Sequence, residues 1–151
     1  MGKDEGMADA SSSPTLGRAL RVYLDARNAA LIAARRSLNI NEMDARALMF
    51  IVDNPGTRPT TLRDYLGITS AGITTLIDRL VERGAVRRDI DMVDRRVNRI
   101  TATIDTAVEP WSALSRFDVE FNTAAERIDP TRTDELAAIL NDLTASVGVP
   151  R

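Results

Sequence analysis

Between Thr69 and Gly84 the chain places small, hydroxyl-bearing and charged side chains at helical spacing. At 100° per residue, Ile73, Leu76, Ile77, Leu80 and Val81 share one arc of about 140°. Ala71, Thr74, Thr75, Asp78, Arg79 and Glu82 fall on the other side. The chemistry open to that polar side is hydrogen bonding rather than bond breaking. Small residues at the helix start, Ser70, Ala71 and Gly72, let the backbone come close to another surface. Ser and Thr hydroxyls donate or accept at base edges and phosphates, and a Thr methyl fits a thymine methyl. The unpaired N–H groups after Thr69 favour a phosphate. A solvated face of any amphipathic surface helix has the same pattern, so both readings stand at this point.

A second group of chemically capable residues follows. Ala85–Arg88 and residues 97–104 lose the helical period and read as two strands of a hairpin. The loop between them, Asp89 to Arg96, sets three arginines, Arg95, Arg96 and, if the last strand residue is counted, Arg88, against Asp89, Asp91 and Asp94. Arginines at the tip of a hairpin suit a narrow minor groove, where negative potential is concentrated. Asp94 would aim Arg96. A charge-balanced turn in water is the plainer account of the loop alone.

Other chemistry is excluded by what is missing. The 151 residues include no Cys and no His. Disulfides, thiol switches, zinc fingers and His-based acid–base mechanisms are therefore out. There is no phosphate-binding glycine loop and no nucleophile–base set, so the chain is not expected to be an enzyme, nor to hold a metal or a cofactor. No apolar run approaches the length of a membrane span, and no secretory signal precedes Ser11. A cytoplasmic protein without membrane contact is the expectation. Net charge is only −2, but residues 58–101 carry +3 and residues 102–151 carry −5. The positive middle contains both groups described above.

The elements that must hold these residues can be outlined. Residues 1–13 read as a disordered arm, with Ser13 capping a helix that opens at Pro14. Leu16, Leu20, Tyr23, Leu24, Leu31, Ala34 and Leu38 give that helix one face. Asn41 caps a second helix, marked by Ala45, Leu48, Met49 and Val52 and ended by Asn54-Pro55-Gly56. A short helix from about Thr60 buries Leu62, Tyr65 and Leu66. Gly67-Ile68 turns the chain, Thr69 caps the fourth helix and Gly84 ends it. After the hairpin, one helix spans about Thr106 to Arg127. Another spans Pro130 to Val147 and buries Leu136, Ile139, Leu140 and Leu143. The short helix, glycine turn and fourth helix form a helix-turn-helix.

The run from Leu66-Gly-Ile-Thr through Asp78-Arg-Leu to Gly84, followed by Val86, Arg88, Asp94-Arg-Arg96 and Thr103, resembles the MarR (multiple antibiotic resistance regulator) family. The resemblance extends over roughly residues 14–147. It implies a mainly α fold with a small β-hairpin wing: a winged helix-turn-helix at 42–104, flanked by dimerisation helices at 14–40 and 105–148, within one domain from 14 to 151. It also implies a homodimeric regulator of transcription on double-stranded DNA, a repressor on a pseudo-palindromic site, with recognition helices about 34 Å apart. Carried over by position, Thr69, Ser70, Ala71, Gly72, Thr74, Thr75 and Arg79 face the major groove, while Arg88, Asp94, Arg95 and Arg96 form the wing. Asp78, an acid on the exposed side, is expected to pair with an arginine. Relatives respond to small aromatic or anionic effectors, for which Tyr23, Phe50, Trp111 and Phe117 are the candidate lining, unless these aromatics only fill the core. The alternative is a winged-helix module for protein contacts without DNA.

Overall fold

Several helix starts in this chain are set by side chains that accept from their own first turn. A computed structural model describes residues 15–90 and 98–147. In it α1 spans Leu16–Leu38, α2 Glu42–Asp53, α3 Pro59–Leu66 and α4 Ser70–Glu82. Asn41 accepts from the Asp44 N–H at 2.8 Å and Thr69 from the Gly72 N–H at 3.1 Å, both as expected. The cap of α1 is Thr15, which accepts from Arg18, so the helix opens two residues later than read; Ser13 and Pro14 lie outside the described residues. α3 has no side-chain cap and opens on Pro59, whose missing N–H costs nothing at that position.

The hairpin consists of β1, Val86–Ile90, and β2, Asn98–Ala102, paired antiparallel with Val86 opposite Ala102 and Ile90 opposite Asn98. Thr57, in the α2–α3 connection, bridges to Ile100 on the other edge of β2. The first strand runs two residues further than its apolar pattern suggests. Asp89, opposite Arg99, sits in the ladder because Arg87 on its own strand and Thr101 diagonally across on β2 both donate to its carboxylate, at 2.8 and 2.9 Å. These donors lower the Asp89 pKa, Arg87 more than Thr101. Arg88 is a strand residue opposite Ile100, as its place in the run Ala85–Arg88 predicts.

The core is formed by α2, α3, α4 and the hairpin. Leu48, Ile51, Leu62, Leu80 and Ile100 are completely buried there, with Leu76 and Ile77 nearly so. Val81, expected with them, is 37% exposed, because it falls at the edge of the α4 arc. Tyr65 is also exposed; it leaves the core to stack on Phe50, ring centroids 4.2 Å apart.

The C-terminal third departs most from expectation. No single helix runs from Thr106 to Arg127. Pro110, with no N–H to give, precedes a 3-10 turn at Trp111–Leu114, and α5 begins only at Arg116, ending at Ile128. α6 spans Pro130–Ser146, capped by Asp129. Leu136, Ile139 and Leu143 are about half exposed (50%, 54% and 45%), and neither α5 nor α6 has a buried residue. The apolar face predicted for α6 exists, but among the described residues nothing covers it.

Candidate nucleic-acid interface

The turn between α3 and α4 depends on Gly67. Its φ is +67°, and its N–H donates to the Arg63 carbonyl at 2.9 Å. A Cβ there would meet no atom within 4 Å. The cost of a side chain is therefore purely one of backbone conformation, about 1 kcal/mol. Gly67→Ala is expected to lower stability by that amount with an unchanged denaturant m-value, as measured by urea unfolding.

Past the turn, Thr69, Ser70, Ala71, Thr74 and Thr75 are exposed and Gly72 is half-buried. The Thr74 hydroxyl donates to the Ser70 carbonyl and the Thr75 hydroxyl to that of Ala71, each at 3.1 Å. Their hydrogens are used within the helix, so both threonines present oxygen lone pairs and methyl groups outward. Arg63, at the end of α3, holds the Ser70 hydroxyl at 3.4 Å and pairs with Asp64. Sequence reasoning overlooked Arg63; its place at the last turn of the helix before the glycine was the available signal.

Asp78 and Arg79 of α4 are both held in ion pairs. Arg79, expected to face outward, turns back to α2, where its Nε and Nη2 donate to both carboxylate oxygens of Asp44, at 3.0 and 2.5 Å. The Asp44 side chain is 3% exposed, whereas that of Arg79 is 44% exposed. Asn41 donates a further hydrogen bond to Asp44 at 2.9 Å. Hydrogen bonding to Asp44 raises the Arg79 pKa further above its already high ordinary value. Asp78 has the arginine partner that was expected, and it is Arg88 of β1. Arg83 reaches across to the carbonyls of Leu38 and Asn39, tying the end of α4 to the end of α1. Asp94, Arg95 and Arg96 lie outside the described residues.

A cleft of about 730 Å³ opens between α1, α2, α3 and α5. Arg27 spans it to Asp118 with two hydrogen bonds of 2.7 and 2.8 Å, which raise the Arg27 pKa. Arg46 lies over the Tyr65 ring, 5.8 Å from its centroid. Of the four aromatics proposed as a lining, only Phe50 borders this cleft. Phe117 borders a smaller one of about 380 Å³. Tyr23 packs on Phe121 and Phe117, with centroids 4.7 and 5.7 Å away, and Trp111 packs against the core. Among the described residues no group of three or more metal-ligating side chains comes together, and no helix is long and apolar enough to cross a membrane.

Two helices joined by a tight glycine turn, with an antiparallel hairpin packed behind the second, define a winged helix-turn-helix protein. Residues 38–96, the segment that builds this unit, match the model of the MarR family. Solved structures of that family share the fold. A mutant of the Staphylococcus aureus regulator MepR bound to an oligodeoxyribonucleotide is 18% identical, with a TM-score of 0.57, over 89% of this chain and 99% of that one. MepR bound to ethidium bromide is 15% identical, with a TM-score of 0.60, over 89% and 97%. A crystal structure of MarR is 17% identical, with a TM-score of 0.57, over 91% and 93%. No curated protein matches the sequence.

Proposed function

We propose that the protein is a homodimeric, sequence-specific regulator of transcription that lays α4 in the major groove of duplex DNA. The observation that carries this reading is the exposed start of α4. Thr69, Ser70, Ala71, Gly72, Thr74 and Thr75 make a narrow, uncharged face rich in acceptors and methyl groups, at the end of the helix whose free N–H groups suit a phosphate. The structure of MepR with an oligodeoxyribonucleotide supports it. The wing arginines, Arg95 and Arg96, would extend into the flanking minor groove, with Asp94 orienting Arg96.

Dimerisation follows from the uncovered apolar surface of α1, α5 and α6. Val22, Leu24, Val119, Ile128, Leu136, Ile139 and Leu143 are all exposed in one chain. A second copy burying these faces would also keep the acidic C-terminal third away from phosphates. On a pseudo-palindromic site the paired α4 helices would stand one DNA turn apart. Seated over a promoter, such a dimer would exclude polymerase and act as a repressor. The cleft that holds Arg27, Arg46, Phe50 and Tyr65 has the size and mixed apolar and cationic lining for a small aromatic or anionic effector.

The test is selection of bound duplexes from random DNA, with sedimentation to establish the oligomer. A dimer that prefers one palindromic site over scrambled competitor is expected. In a salt titration on that site, Arg96→Ala should flatten the log K against log salt slope by about 2 per dimer. A monomer at micromolar concentration, or equal affinity for scrambled DNA, would leave a winged-helix module for protein contacts.

A further inference from the structure

Resting on the reading that α4 enters a duplex groove, we propose that Asp44 is a specificity-determining residue that holds Arg79 off the DNA. Arg79 follows Thr75 by one turn and so rises from the same side of α4 as the hydroxyl face. Its side chain is nearly half exposed, and an untethered guanidinium there would reach phosphates of any sequence. Both oxygens of the buried Asp44 carboxylate hold it instead. That carboxylate is itself fixed, because Asn41 donates to it while capping the helix through the Asp44 N–H. The anchor is therefore the start of α2 rather than a mobile surface acid. Arg88 neutralises Asp78 on the same exposed face. With both pairs closed, α4 offers a groove no unpaired arginine, and base edges rather than phosphates dominate its contacts.

The experiment uses the full chain, its best duplex from the random selection and a scrambled duplex, each titrated with salt. Asp44→Asn should free Arg79 and steepen the log K against log salt slope by about 2 per dimer. Binding to the scrambled duplex should tighten about tenfold, so the preference for the selected site falls. Arg79→Gln should keep the wild-type slope, as should the double variant Asp44→Asn/Arg79→Gln, in which no carboxylate is stranded. A merely structural Asp44 would weaken binding to both duplexes and leave the slope alone, which overturns the proposal. A slope flattened by about 2 in Arg79→Gln or in the double variant also overturns it, because Arg79 would then touch phosphate in the native protein. Should Asp44→Asn not fold, those two variants decide the matter. Wild-type protein that binds no duplex refutes the DNA reading and this proposal together. Wild-type protein that binds while the slopes fail removes this proposal alone.

Discussion

Ala71→Glu should weaken binding to the selected duplex by about 100-fold or more while leaving the melting temperature unchanged or slightly higher. Ala71 is exposed in the first turn of α4, two residues after its cap. A carboxylate there faces the positive end of the helix dipole, which favours folding by roughly 0.3–1 kcal/mol. In a groove the same carboxylate meets phosphates and the acceptor edges of bases. Like charges brought together in an interface cost several kcal/mol, and a dimer would pay that twice. Stability and DNA affinity are therefore driven in opposite directions by one substitution. A gel-shift or anisotropy titration together with a thermal melt reads both. Native affinity in a folded Ala71→Glu protein would take α4 out of the groove.

Leu48→Ala should cost about 3–4 kcal/mol and lower the melting temperature by about 10 °C. Leu48 is completely buried at the centre of α2, the helix that packs against α3, α4 and β2. Removing its isobutyl group leaves a cavity that two helices and a strand cannot collapse into without losing their own contacts. Ile139→Ala provides the contrast. Its side chain is half exposed in the single chain, so a monomer would lose under about 1 kcal/mol. In a dimer that buries α6 the loss would be larger and would depend on protein concentration. Melting both variants at two concentrations, tenfold apart, separates these cases. A concentration-independent melt of Ile139→Ala with native stability would speak against α6 as the dimer face.

Much of the winged helix-turn-helix was legible because its determinants are local. Asn41 and Thr69 cap helices by bonding to N–H groups three residues away. Gly67 turns the chain because its own φ is positive. Four of the five residues assigned to the apolar arc of α4 are buried, and the hairpin forms where the helical period lapses. Within the candidate interface, the exposure of Ser70, Ala71, Thr74 and Thr75 follows from the same period. Pro110 is a local signal against one continuous helix over residues 106–127. The single long helix drawn through it does not form.

What the sequence determined by itself was the order and phase of the elements, since caps, turns and apolar periods act over a few residues. Only the tertiary structure decided which charges meet. Asp44 and Arg79 are 35 positions apart, and Arg27 and Asp118 are 91 apart. No spacing rule links such residues, because their meeting depends on how whole helices pack. That packing turned Arg79 from an outward cation into a partner of a buried carboxylate, and it left Leu136, Ile139 and Leu143 without cover. Hydrophobic periodicity tells which side of a helix avoids water; it does not tell which surface, in the same chain or another, will cover that side.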